Sequence, residues 1–200
     1  MSQAHRLWQL LIAPRIAWQQ IACEPQTTRE LYARHVLPLA AIGPACSFIG
    51  MSLIGIDVPR LGHYRVPLPS GLAHALVSYG LTLFAVFVLA KLIDAFSAHF
   101  SARPDAMQAI KLSAYAATPA WLGGLFHLLP ALSLLATAAG LYSLYLLYLG
   151  LPPLMQAPPG QAGRYAAAVI IAAIVLALVV GAVAGSLLQL PSDALHDLQV

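Results

Sequence analysis

Between Tyr165 and Leu188 the chain runs for 24 residues without a charged side chain. A helix of that length rises roughly 36 Å, enough to cross the ~30 Å hydrocarbon core of a bilayer. A stretch so uniform in Ala, Val, Ile and Leu has no polar face to offer water, so lipid is its natural solvent. Four further apolar runs precede it, over about residues 35–56, 71–96, 107–128 and 131–150. Only 8% of the residues are charged, against about 25% in soluble domains. The pattern predicts an all-α, polytopic membrane protein with five transmembrane helices. Residues 1–34 form an amphipathic arm, 35–188 the membrane domain and 189–200 a short polar tail.

Within the arm, Leu7, Leu10, Leu11 and Ile12 alternate with Arg6 and Gln9. Pro14 suits the first turn of a second short helix, where its missing N–H costs nothing. Two short interfacial helices are expected, with Trp8 and Trp18 as anchors that bury the ring and keep the indole N–H wet. Packing of these helices under the bundle is the competing expectation. The stretch stops at Pro14, too early for the apolar core of a cleavable leader. Thr27 and Glu30 have capping-box spacing, so a helix should start at Thr28. Pro38 and Pro44 predict a bend in the first span. Residues 57–70 read as a loop holding Pro59, Arg60 and Arg65. Gly150, Pro152 and Pro153 read as the end of the fourth span, with a loop from Leu151 to Arg164. Cys23 and Cys46 are expected as free thiols.

Numbering the sides by alternation, side one carries Arg6, Arg15, Arg29, Arg34, Lys91, Arg103, Lys111 and Arg164. Side two carries Arg60 and Arg65. The positive-inside rule then predicts a cytoplasmic N-terminus and a periplasmic C-terminus.

Few residues suggest chemistry. Lys91, Asp94 and Lys111 are the ionisable groups nearest the bilayer core. They are expected near the cytoplasmic face, either as a gate or as snorkelling lysines beside one carboxylate. Tyr142, Tyr145 and Tyr148 recur at helical spacing. Tyr148 sits at the cytoplasmic end as an interfacial anchor. Tyr142 and Tyr145 lie deeper and need hydroxyl partners, for which Tyr115, Thr118 and the carbonyls freed by Pro119 are candidates. These five positions form a candidate polar seam. His74 reads as a polar anchor near the outer face that is able to titrate. Ala177, Gly181 and Gly185 form a small-residue face for close helix packing. No histidine has zinc-site spacing, no serine sits in a nucleophile elbow and no glycine loop cradles phosphate. The sequence therefore predicts no metal, no cofactor and no catalytic residue. Its basic residues are dispersed, which argues against nucleic acid as a partner.

Four segments together carry a family resemblance. These are PRIAWQQIACEP (Pro14–Pro25), HVLPLAAIGPACSFIGMSLIG (His35–Gly55), YAATP (Tyr115–Pro119) and YLLYLGLPPLM (Tyr145–Met155). In order and spacing they resemble the bacterial Yip-domain membrane proteins, whose eukaryotic relatives interact with Ypt/Rab GTPases. The resemblance implies five spans with a cytosolic N-terminus, and it implies no catalytic motif. The long acidic arm of the eukaryotic relatives is missing, so Rab binding does not carry over. The expected function is a non-enzymatic scaffold or partner-binding protein of a bacterial inner membrane. Its partners would be the lipid bilayer and other membrane proteins or a second copy. The alternative is a small-solute, ion or lipid transporter using the seam between the first, third and fourth spans.

Overall fold

Proline and glycine decide where the helices of this chain begin and end. The computed structural model describes residues 3–58, 62–128, 132–186 and 188. The expected tail, 189–200, and the loop residues Pro59, Arg60 and Pro130 lie outside the described residues. The arm folds as α1 (Gln3–Ile12) and α2 (Pro14–Cys23), with Pro14 in the first turn of α2.

The third helix, α3 (Thr28–Ile54), starts where the capping box predicts. Thr27 Oγ1 accepts from the Glu30 N–H at 3.3 Å, and the Thr27 N–H donates to Glu30 Oε2 at 3.3 Å. α3 is not uniform. A wide π-turn at Tyr32–Val36 ends two residues before Pro38, whose ring and missing N–H forbid an ordinary helical hydrogen bond. A turn at Ala41 interrupts it again before Pro44. A second π-turn, Ile49–Ile54, ends at Gly55, whose φ of 95° suits glycine.

Part of the expected loop pairs instead as a small antiparallel hairpin, β1 (Ile56–Val58) with β2 (Gly62–Tyr64), Asp57 opposite His63. The rest of the described architecture is helical. α4 (Leu68–Ser97) is extended by a 3₁₀ turn, Ala98–Phe100.

The third apolar run departs from expectation, because it is not one continuous helix. α5 (Ala106–Ala116) stops at Ala117, and α6 (Thr118–Gly123) passes into a 3₁₀ turn, Gly124–Leu128. Pro119 accounts for the break, and the pair Gly123 and Gly124 for the change of pitch. Asp105 starts α5 by accepting from the N–H groups of Met107 and Gln108, both at 3.0 Å. Four helices among the described residues are long and apolar enough to cross a membrane: Thr28–Ile54, Leu68–Phe100, Leu134–Met155 and Pro159–Gly185.

The fourth and fifth runs are longer toward their shared loop than expected. α7 (Ser133–Met155) continues through Pro152 and Pro153 and ends at Gln156 in the left-handed region. Tertiary packing overrides the local cost, since Leu151, Leu154 and Met155 are buried. α8 (Pro159–Gly185) begins on Pro159, leaving a connection of three residues.

α5 is the axis of the bundle, with every residue from Ala109 to Ala116 buried. It packs against α4 on one side and α7 on another, and α8 lies outside against α4 and α7. At one end the backbone of Arg103 donates to Met155 O at 2.9 Å, joining the two connections there. At the other end His74 Nδ1 donates to Ala184 O at 2.8 Å. The expected polar anchor thus ties the start of α4 to the end of α8. There too, a Cβ on Gly50 would stand 2.4 Å from His127 O. The segment Ala106–Leu128 therefore runs from one end of the bundle to the other.

Candidate functional site

The arm is built into the bundle at the end that holds residues 103 and 155. Trp18 is fully buried there, not an interfacial anchor with a wet N–H. Its ring fills the space over Gly150, where a Cβ would stand 2.6 Å from Trp18 Cε2 and 2.7 Å from Leu112 Cδ1. Among the described residues its indole nitrogen has no partner. Trp8 faces outward at 64% exposure, and Tyr148 at 49%.

Lys111 explains why the arm stays down. α2 carries no basic residue in its last turn, so its carbonyls need a cation from elsewhere. The buried Lys111 ammonium donates to Ile21 O at 3.0 Å and to Glu24 O at 2.7 Å. Gln108 Nε2, one turn earlier, donates to Ala22 O at 3.0 Å. Lys111 thus does not join Lys91 and Asp94 in a charge cluster. Lys91 is exposed, with its ammonium 5.6 Å from the Phe87 ring centroid. Among the described residues Asp94 makes no ion pair with either lysine.

The expected polar seam divides in two. Tyr115 and Thr118 are buried at the α5–α6 break, and their partner is His35, which the sequence reading did not single out. His35 Nε2 lies 3.0 Å from Thr118 Oγ1, and its ring centroid lies 4.4 Å from that of Tyr115. The π-turn of α3 turns His35 inward, to 4% exposure. Tyr115 links this node to the arm. Its hydroxyl accepts from Arg6 Nη1 at 2.9 Å and donates to Gln26 Oε1 at 3.4 Å. Arg6 in turn pairs with Glu24 at 2.7 Å. Polar groups therefore line up from Thr118 inside the bundle to Glu24 at its end, buried at His35, Tyr115 and Thr118 and partly exposed at Arg6 and Glu24. Tyr142 lies on a separate branch, donating to Leu11 O at 2.7 Å. Tyr145 tilts against it at 5.7 Å between centroids and is half exposed.

Open space lies elsewhere. A cleft of about 420 Å³ is enclosed by α4, α5–α6, α7 and α8, with no α3 residue in its wall. Its hydroxyls are engaged with the backbone. Thr82 donates to Ser78 O at 2.8 Å and Ser113 to Ile110 O at 3.0 Å. Ser143 donates to Ala139 O at 3.3 Å and accepts from the Ala120 N–H at 2.9 Å. Ala177 and Gly181 border this cleft instead of forming a packed face. Beyond α8's own neighbouring backbone, no described atom lies within 4 Å of where a Cβ would stand on Gly181 or Gly185. Close backbone approach occurs at Gly124, where a Cβ would stand 2.5 Å from Gly43 Cα. Cys23 and Cys46 are both free. Among the described residues no three His, Cys, Asp or Glu side chains converge on a point that could hold a metal ion.

Comparison with known proteins identifies relatives for this arrangement. The Yip1 domain family model matches residues 8–181. The inner membrane protein YohC of Escherichia coli K12 is 34% identical over 153 residues, covering 75% of this chain and 78% of that protein. YohC of E. coli O6:H1 matches equally. No solved structure matches.

Proposed function

The chain belongs to the Yip1 domain family, and from that premise we propose that it is a non-enzymatic scaffold or partner-binding protein of a bacterial inner membrane. In this reading five segments cross the bilayer. Four are the long apolar helices, and the fifth is the broken segment Ala106–Leu128. Its interruption at Pro119 is tolerable because protein surrounds it, and irregular backbone at membrane depth needs such cover. The basic residues put the arm in the cytoplasm and the end of the chain in the periplasm.

The observation that carries the partner-binding reading is the two-faced arm. One face holds Leu10, Trp18 and Ile21 in the core, while Trp8, Ile12 and Ile16 stand 57–64% exposed on the other. Three large exposed apolar residues on the same short arm as the docked side chains suit the headgroup boundary and a second polypeptide resting there. Photo-crosslinking residues placed at Trp8, Ile12 and Ile16 in native membranes test it. The expected result is a covalent adduct with a second polypeptide, either another membrane protein or another copy. Adducts with lipid alone from all three positions would contradict it.

The cleft beneath α8 favours a second reading, transport of a small or lipid-like solute. Its position differs from the seam expected between the first, third and fourth spans. That seam is filled by His35, Tyr115, Thr118 and the Gly43–Gly124 contact. The cleft's hydroxyls are engaged with the backbone, so its wall suits an apolar occupant better than an ion.

A further inference from the structure

We propose that the groove between the start of α3 and the middle of α4 is a binding site for one anionic phospholipid. The groove is shallow and widely open, with a volume of about 650 Å³, and is lined by Thr28, Arg29, Tyr32, Leu83, Phe84 and Phe87. Its floor is apolar. Phe84 is 62% exposed and Phe87 43%, both on a helix long and apolar enough to cross the bilayer. The Tyr32 hydroxyl is turned aside to Leu83 O at 3.5 Å. A floor of this kind takes hydrocarbon.

The rim at one end is cationic. Arg29 lines the groove, and Lys91 stands beside it, one turn beyond Phe87, in a small neighbouring hollow that it shares with Phe87 and Asp94, its ammonium 5.6 Å from the Phe87 ring centroid. Both side chains are exposed, and among the described residues neither is in an ion pair. The nearby acids are not ion-paired with them among the described residues. Glu30 is spent on the capping box, accepting from the Thr27 N–H at 3.3 Å and its hydroxyl at 3.0 Å. Asp94 makes no ion pair with Lys91 among the described residues.

Two exposed cations outside any ion pair among the described residues, at the end of an apolar groove, match a phosphodiester head above an acyl chain. The two cations do not share a helix, so the lipid would bridge α3 to α4. The inference goes beyond the partner-binding reading and stands whether or not that reading holds.

The test is native mass spectrometry of the full chain in detergent, titrated with phosphatidylglycerol and, separately, phosphatidylcholine. Wild type should bind one phosphatidylglycerol in preference to phosphatidylcholine. The double variant Arg29→Gln, Lys91→Gln should bind phosphatidylglycerol roughly thirtyfold more weakly, with phosphatidylcholine unchanged. The control Arg103→Gln, Arg164→Gln removes the same charge elsewhere and should bind as wild type does. Matching melting temperatures establish that each variant is folded. If the double variant melts early, Phe84→Ala replaces it and should weaken retention of phosphatidylglycerol. Equal binding of both lipids by wild type, or equal weakening in the control, would overturn the proposal. So would undiminished binding in every folded groove variant.

Discussion

Replacing Trp18 with alanine should destabilise the protein by about 3–5 kcal/mol, the range for truncating a large buried aromatic. The ring is fully buried, and its seat exists because Gly150 has no side chain there. Alanine would leave a hole between α2, Gly150 and Leu112. Trp18→Phe keeps most of the ring volume and should recover more than half of the loss. Thermal unfolding in mild detergent reads both variants. A drop of about 10 °C is expected for alanine, from the usual scaling for chains of this size. Limited proteolysis separates local from global effects: cleavage between α2 and α3 should accelerate before the spans are attacked. A Trp18→Ala protein that melts and resists protease like wild type would remove Trp18 from the core.

Lys111→Met is the second large effect. Methionine has a similar length and apolar stem, so the change isolates the ammonium. It removes two charge-assisted hydrogen bonds, to Ile21 O and Glu24 O, each contributing about 1.5–3 kcal/mol. It also leaves two carbonyls at the end of α2 without that partner. A net loss of about 3 kcal/mol is expected, with the end of α2 released from α5. Double-mutant cycles with Trp18→Ala should show strong non-additivity, because both hold the same helix. Full additivity would mean that Lys111 and Trp18 anchor the arm independently.

Local signals in the sequence were accurate where the physics is local. The Thr27–Glu30 capping box involves neighbours three residues apart, and it places the start of α3. Long, nearly uncharged runs similarly mark four long helices, although prolines bend the first. Signals that depend on distant partners were misread or missed. A tryptophan in a short amphipathic segment looks like an interfacial anchor, and only the missing Cβ of Gly150 makes it a core residue. Lys111 looks like a snorkelling lysine because the carbonyls it serves lie on the arm, far back in the chain. Thr118 was legible as a polar position at a proline break, but its partner His35 was hidden at the start of an apolar run. Pro152 and Pro153 signal a helix end, and burial of Leu151, Leu154 and Met155 overrules them.

In the proposed topology the broken segment Ala106–Leu128 crosses the membrane as a fifth span, so that the two ends of the chain lie on opposite sides. Parity tests this directly. Fusions at Val200 to alkaline phosphatase, active only in the periplasm, and to a fluorescent protein that matures only in the cytoplasm give opposite readings for five and for four crossings. With the N-terminus shown to be cytoplasmic by the same pair, the five-span account predicts phosphatase activity and no fluorescence at Val200. Fluorescence without phosphatase activity there would leave four crossings and contradict it.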